Sequence, residues 1–134
     1  MLTRKDILTA SGRYPDRENH VEVTPEVLAN IDKLLNAVNS LLNELGLASV
    51  KVSSGFRPSA VNAGIAGAAK KSLHMRGMSV DLVDTKGQLA KVITSKPELL
   101  RKYGLFVENP AVTVGWLHLD IGVRSDRPSR MFNP

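Results

Sequence analysis

The feature that most constrains this chain is a run of apolar residues at helical spacing between Thr24 and Gly46. The apolar positions recur every three or four residues, at Val27, Ile31, Leu34, Leu35, Val38, Leu41, Leu42 and Leu45. This spacing puts them on one face of a helix, and the fold must cover such a face with other elements. Thr24 can cap the first free amides, and Pro25 suits the first helical position because it has no amide hydrogen. We therefore predict a long core helix that carries no chemistry itself.

The chain length and the absence of cysteine limit the rest of the fold. The 134 residues suit a single domain, and 43% of them are apolar, which is enough for a packed core. Without cysteine, disulfide scaffolds, thiol nucleophiles and cysteine-type zinc sites are excluded. The apolar runs fall short of the roughly 18 residues that a membrane-spanning helix needs, so no membrane insertion is expected. Residues 1–6 lack the apolar core of a signal peptide, so we expect synthesis in the cytoplasm and a separate exit route.

The charge balance favours anionic partners only slightly. The chain has 18 basic and 13 acidic residues, a formal net charge of +5. A basic surface attracts nucleic acid, membranes or cell-wall polymers. Aromatic residues make up 4% of the chain, which leaves little for stacking on single-stranded nucleic acid. We therefore expect no nucleic-acid partner, and we expect Arg124, Arg127 and Arg130 near the C-terminus to form a solvated face that can favour the anionic cell wall.

The remaining patterns predict short helices and strands. Helical segments are expected at four places: 4–9, within 58–69, 88–93 and 95–103. The last of these begins with a capping box at Ser95–Glu98. Strands are expected at 50–53, 79–83, 105–107 and 114–121, the final two joined as a hairpin. The predicted fold class is α+β, one domain over 1–134: a long N-terminal helix packed on a small, mostly antiparallel sheet, with an N-terminal extension (1–20) and an irregular basic tail (124–134).

Two of the three histidines stand in patterns that bring them near carboxylates. His74 lies in a predicted loop and Asp81 on the strand that follows, with Gly77 between them. Because glycine permits a tight turn, both side chains can reach one point.

The second histidine lies on the last predicted strand, where side chains alternate between two faces. One face carries Leu117, Leu119 and Ile121; the other carries Trp116, His118 and Asp120. The leucine face must be the core side, so His118 and Asp120 face a cleft.

Two imidazoles and one carboxylate are a ligand set that a catalytic zinc ion uses, with a fourth position left for water. The ion lowers the pKa of that water from about 15.7 to about 7 and polarises a substrate carbonyl. The alternative is that each histidine is structural, as single histidines on strands commonly are. The convergence of both patterns favours the metal, one Zn²⁺ per chain.

Three blocks in this order resemble the M15 family of zinc peptidases. They are Ser54-Gly55-Phe56-Arg57-Pro58, Ser72-x-His74-x-x-Gly77-x-x-Val80-Asp81 and Trp116-x-His118. The resemblance implies an M15/hedgehog-like fold and a peptidase acting on peptidoglycan. It implies His74, Asp81 and His118 as zinc ligands. It also implies that Arg57 holds the substrate carbonyl or the developing oxyanion, which a fixed guanidinium can stabilise.

One departure from the family pattern concerns the general base. Many members have a glutamate or aspartate three residues before the last histidine, where this chain has Gly115. Glu108, at the end of the preceding strand, can reach the site if the hairpin pairs as predicted. Asp120 lies two residues from His118, about 6.6–6.8 Å along the strand. We favour Glu108, because phage-type members look similar from Glu108 to His118, and we assign Asp120 to orienting a histidine. The alternative for Glu108 is a solvated hairpin acid.

Four other residues have open assignments. Ser72 either donates a hydrogen bond near the metal or substrate, or caps its loop. Asn62 resembles an asparagine that follows the arginine block in relatives, and we expect it to hold a local turn rather than touch substrate. Trp116 either walls the cleft or simply packs. His20 has no partner pattern and is expected at the surface.

We therefore expect a zinc-dependent peptidase that cuts an amide bond of a peptidoglycan stem peptide, of the D-Ala-D-Ala or the L-Ala-D-Glu type. The small size and the similarity to phage members favour a bacteriophage endolysin or a virion-associated wall hydrolase. Such a protein is made in the host cytoplasm and acts at the cell wall or in the periplasm, or belongs to the virion beside other virion proteins. The alternative is a catalytically inactive zinc-binding module that binds the cell wall, such as a tail component; the missing acid at Gly115 favours it.

Overall fold

A computed structural model describes residues 1–9 and 19–134 of the chain. Within these residues the helices are α1 (Arg4–Leu8), α2 (Pro25–Glu44), α3 (Ser59–Ala63), α4 (Gln88–Thr94) and α5 (Pro97–Lys102), with a 3-10 helix at Leu73–Arg76. The strands are β1 (Val52–Ser54), β2 (Ser79–Asp84), β3 (Phe106–Glu108), β4 (Gly115–Asp120) and β5 (Met131–Phe132). The α+β prediction is confirmed. None of the helices described combines the length and apolar character needed to cross a membrane.

Helix α2 forms as its sequence pattern predicts. The hydroxyl of Thr24 accepts a hydrogen bond from the backbone N–H of Val27, at 3.2 Å, and Pro25 occupies the first turn. The residues of α2 in the buried core are Val27, Ile31, Leu34, Leu35, Ala37, Val38, Leu41 and Leu42. They share one core cluster with the inward side chains of β2 and β4, so α2 covers the inner face of the sheet.

The sheet has the order β1-β2-β4-β3-β5. The pairs β1–β2, β2–β4 and β3–β4 are antiparallel, while β3 and β5 are parallel. The two longest strands, β2 and β4, pair along their whole length from Ser79 opposite Asp120 to Asp84 opposite Gly115. The prediction of a mostly antiparallel sheet is therefore confirmed.

Alternation along β2 and β4 separates the core from the site. Val80, Leu82, Leu117 and Leu119 have no exposed surface and face α2. The residues between them point to the outer face. On β2 these are Asp81 and Val83; on β4 they are Trp116, His118 and Asp120. The predicted division of β4 into a leucine face and a histidine face is thus observed.

Both ends of the described chain pack against this framework. Ile7 and Leu8 of α1 belong to the core cluster, and Met131 of β5 packs against it. The Ile7 carbonyl accepts a hydrogen bond from the backbone N–H of Phe56, at 2.9 Å. A Cβ on Gly55 would lie 2.2 Å from that carbonyl oxygen, so only glycine allows this close approach. Of the predicted extension 1–20, residues 10–18 lie outside the described part.

Several local predictions are wrong. His74 lies in a 3-10 helix rather than a loop. Helix α5 has Lys96 as its N-cap and no side-chain cap, because the Ser95 hydroxyl donates instead to the Val92 carbonyl, at 2.7 Å. The predicted capping box is therefore absent.

The C-terminal segment also differs from its prediction. It contains β5 and so is not wholly irregular. Arg130, predicted on a solvated face, is 8% exposed and donates from Nε to the Leu105 carbonyl, at 3.0 Å. A two-residue strand is too short to show a period of two, so no pattern in the sequence could signal it.

Candidate metal centre

The 3-10 helix presents His74 to the outer face of the sheet. The Ser72 hydroxyl accepts a hydrogen bond from the His74 backbone N–H, at 3.2 Å, so Ser72 caps this turn. Gly77 ends it with φ of 70°, and a Cβ there would lie 2.7 Å from Cγ1 of Ile31 on α2. The His74 ring is buried, and its Nδ1 lies 2.8 Å from the Gly55 carbonyl oxygen. Because a carbonyl only accepts, Nδ1 carries the hydrogen and Nε2 keeps a free lone pair.

The lone pair of His74 faces a carboxylate shared with the second histidine. Asp81 on β2 lies directly opposite His118 on β4. Asp81 Oδ1 is 2.8 Å from His118 Nδ1 and 3.3 Å from His74 Nε2. The two imidazole rings meet edge to face, with centroids 5.3 Å apart. One ligand atom from each residue therefore converges on a single point.

This convergence fits a zinc ion. One ligand atom from each of His74, Asp81 and His118 lies within 4.8 Å of the other two. Asp81 Oδ1 lies 2.8 Å from His118 Nδ1 and 3.3 Å from His74 Nε2, so one ion could contact all three ligand atoms after small side-chain movements. Nitrogen and carboxylate oxygen are the donors that zinc accepts in catalytic sites.

His118 is oriented from behind by Asp120 and Arg124. Asp120 has no exposed surface, and its Oδ2 lies 3.0 Å from His118 Nε2. Since the carboxylate accepts, Nε2 carries a hydrogen, and Nδ1, the nitrogen beside Asp81, is the one that would face a metal ion. Arg124 donates to both oxygens of Asp120, at 2.5 and 3.0 Å, and the Gly122 backbone N–H adds a bond at 3.0 Å. The guanidinium carbon of Arg124 lies 3.7 Å from the ring centroid of Phe132.

The buried charges shift one another's pKa values. Burial opposes ionisation of Asp81, but its close contacts with the His118 and His74 rings outweigh it and hold the pKa of Asp81 below its usual range. Burial likewise disfavours the charged form of Asp120, yet its bonds with His118 and Arg124 lower its pKa. Burial opposes protonation of His118, and the two carboxylates outweigh it and raise the pKa of His118 to about 9. In the metal-free protein the two carboxylates therefore favour the protonated, positively charged form of His118.

Arg57 stands beside the three ligands. Its backbone N–H donates to the His74 carbonyl, at 3.1 Å, and its Nη2 lies 3.9 Å from Asp81 Oδ2. Asn62 Oδ1 accepts a bond of 3.3 Å from Arg57 Nη1, while Asn62 Nδ2 donates to the Ala69 carbonyl, at 2.8 Å. Burial lowers the pKa of Arg57, and the charge of Asp81 opposes that shift. Asn62 therefore holds both the local loop and the guanidinium.

The ligands lie in a cleft of about 440 Å³. Glu108, Trp116, Asp120 and Arg124 line it together with His74, Asp81 and His118. The Ala- and Gly-rich loop 65–69 forms another wall. The hairpin of β3 and β4 pairs Phe106 with Asp120 and Val107 with Leu119, which directs Glu108 to the His118 end of the cleft. The predicted site residues therefore line one cleft, except Asn62, which lies behind it and holds Arg57.

His20 and a second cavity lie away from this cleft. His20 is 37% exposed at its side chain, and its Nδ1 accepts a bond from the Glu22 backbone N–H, at 3.1 Å. A larger cavity of about 800 Å³ lies between residues 1–9 and the end of α2, and its lining contains none of the ligands. The smaller cleft is therefore the candidate functional site, because it contains the residues that can bind a metal ion.

Sequence reasoning missed two participants, Arg124 and Phe132. Arg124 was assigned to a solvated face, yet it contacts Asp120 and stacks on Phe132. Phe132 also meets the His118 ring edge to face, with centroids 5.8 Å apart. A spacing of four residues between Asp120 and Arg124 was the only signal, and outside a helix that spacing does not predict contact.

Comparisons with known proteins agree with this geometry. A family model described as Peptidase M15 matches residues 9–119, which is most of the chain. No curated protein matches the chain, and no solved structure does either. The family match spans all three residues that converge as metal ligands. The three residues form a metal site consistent with M15 zinc peptidases, and the chain belongs to the M15 family of metallopeptidases.

Proposed function

We propose that the protein is a zinc-dependent peptidase that hydrolyses an amide bond in a peptidoglycan stem peptide. M15 peptidases act on peptidoglycan peptides. The observation that carries the proposal is the convergence of His74, Asp81 and His118 in a cleft that also contains a guanidinium and a separate carboxylate. A bound zinc ion supplies a Lewis acid and a water of lowered pKa. The residues of the chain supply the remaining functions.

Glu108 is proposed as the general base and acid. Asp120 is a poor candidate because it has no exposed surface and its oxygens already accept bonds from His118, Gly122 and Arg124. Within residues 1–9 and 19–134, the Glu108 carboxylate has no hydrogen-bond or ion-pair partner, and it faces the cleft. It accepts a proton from the attacking water as the carbon–oxygen bond forms. It returns that proton to the amine as the carbon–nitrogen bond breaks.

Arg57 is proposed to stabilise the oxyanion that develops on the carbonyl oxygen. Its guanidinium is largely buried, and Asn62 and Asp81 restrict its position. A donor held in place before the reaction need not reorganise when negative charge appears, which is the condition for transition-state stabilisation.

The test is mass spectrometry of purified peptidoglycan fragments incubated with the protein. New amino termini that disappear with chelator and return with added zinc would support the peptidase and identify the bond, whether D-Ala-D-Ala or L-Ala-D-Glu. Glu108→Gln should abolish those products and leave zinc bound. The double variant His74→Ala, His118→Ala should lose zinc; full occupancy in that variant would refute the ligand set.

A second outcome favours a different function. If one zinc binds per chain and no fragment is cleaved, the protein is a zinc-containing wall-binding module, and the glycine at position 115 explains the missing activity. We further propose a bacteriophage endolysin or virion-associated wall hydrolase, supported by the similarity to phage members from Glu108 to His118. Expression in a bacterial host with and without a holin tests it: lysis should require the holin if the protein is an endolysin.

A further inference from the structure

A second groove adjoins the metal cleft on the outer face of the sheet. It has a volume of about 320 Å³ and lies between the β2–α4 turn and the loop before β4. Its lining includes Lys86, Thr113, Val114 and Trp116. Trp116 lines the metal cleft as well, so its indole forms the border between the two depressions.

Large apolar side chains are exposed along this border. Trp116 is 39% exposed, its neighbour across the strand pair, Val83, is 41% exposed, and Val114 is 78% exposed. A cluster of exposed apolar side chains that is continuous with a cleft is a common mark of a binding surface. Lys86, also exposed, adds a cation at the groove. The groove therefore suits a ligand with an apolar segment and a carboxylate.

We infer that the substrate crosses Trp116 and occupies both depressions, so that this residue determines which substrates are cut efficiently. The inference rests on the proposed peptidase function. Outward side chains two residues apart on β4 are about 6.6–6.8 Å apart, and an extended peptide advances about 3.3–3.4 Å per residue. A substrate lying along β4 with its reacting carbonyl near His118 thus reaches Trp116 about two residues from the cut bond.

As the substrate is lengthened, kcat/KM should therefore rise in a step rather than gradually. We expect kcat/KM to rise about tenfold when the second residue, or a sugar in its place, is added on one side of the cut bond. Trp116→Ala should remove that gain, measured as the ratio of kcat/KM on the longer substrate to kcat/KM on the shorter one. Trp116→Phe should recover most of it, because a smaller ring still presents an apolar face. Val112→Ala is the matched control. Val112 is 50% exposed but lines neither depression, so the dependence of kcat/KM on substrate length should stay the same.

A binding experiment separates this inference from the proposed function. The chain contains a single tryptophan, so its fluorescence reports on Trp116 alone. Zinc-loaded Glu108→Gln protein is titrated with muramyl pentapeptide, with the free pentapeptide and with a dipeptide. We expect a saturable change with a longer ligand at a concentration at least tenfold lower than with the dipeptide.

The outcomes are distinct. A length-dependent fluorescence change without cleavage by the wild-type protein would retain the second groove and refute the peptidase. Cleavage with equal kcat/KM for short and long substrates would retain the peptidase and overturn the inference. An equal loss on all substrates in a folded Trp116→Ala variant, with an unchanged melting temperature, would also overturn it.

Discussion

Replacing Asp120 by asparagine should weaken zinc binding although Asp120 is not a ligand. The carboxylate accepts one bond from His118, two from Arg124 and one from the Gly122 backbone. An asparagine has one accepting oxygen. If that oxygen faces Arg124, the amide nitrogen faces His118 Nε2 and donates to it. His118 then carries its hydrogen on Nδ1, the atom that must face the metal.

The magnitude follows from the burial and charge of the contacts. Loss of a carboxylate that orients a metal-binding histidine weakens metal affinity about 10- to 100-fold, or about 1.4–2.7 kcal/mol. Removing one partner of a buried ion pair costs about 3–5 kcal/mol of folding free energy. We expect a value near 3 kcal/mol, because Arg124 is 23% exposed at its side chain and keeps its contact with Phe132.

The assay is zinc competition with a chromophoric chelator, together with urea unfolding of the metal-free protein. Nitrogen NMR of His118 reports which ring nitrogen carries the hydrogen. Asp32→Asn is the matched control, because Asp32 also pairs with an arginine, Arg4, but the two side chains are 52% and 50% exposed. Its stability should stay close to that of the wild-type protein, with no effect on zinc. Wild-type zinc affinity in Asp120→Asn, with hydrogen still on Nε2, would refute the orienting role.

Three further substitutions distinguish residues that affect zinc binding from residues that affect the stability of the core. Arg124→Lys loses the two-point contact with Asp120, so zinc affinity should fall, but less than in Asp120→Asn; an unchanged chelator titration would contradict this. Gly55→Ala places a Cβ 2.2 Å from the Ile7 carbonyl oxygen and should cost about 1–3 kcal/mol in chemical denaturation, whereas a neutral effect would show that α1 moves freely. Leu41→Ala removes a fully buried side chain and should cost about 2–5 kcal/mol without changing zinc stoichiometry; loss of zinc at temperatures where the variant stays folded would contradict that separation.

The sequence was most informative where a periodic pattern met a capping residue. The α2 bounds follow from Thr24, Pro25 and the apolar spacing, since each specifies the same helix. The two faces of β4 follow from alternation alone. The family resemblance added the ligands, which share one cleft although His74 and His118 are far apart in sequence.

The sequence was least informative where a long-range partner decides the local structure. Ser95 could cap α5 or bond back to Val92, and only the packed helix pair selects the second. Arg124 and Arg130 look like surface cations until β5 pairs with β3 and brings them against aromatic rings. In neither case does the sequence within a few residues of Ser95, Arg124 or Arg130 indicate the contact that is observed.

The wide sequence separation of the contacts around His74 and His118 has a consequence for folding kinetics. His74 bonds to a carbonyl 19 residues away, and His118 meets a carboxylate 37 residues away. Loops of this length must close before the three ligands meet, so the centre should be incomplete in the folding transition state. A ligand that binds only the finished site stabilises the native state without stabilising that transition state. Zinc should therefore lower the unfolding rate in a chevron plot and leave the refolding rate unchanged, which makes the metal a barrier to unfolding rather than a template for folding.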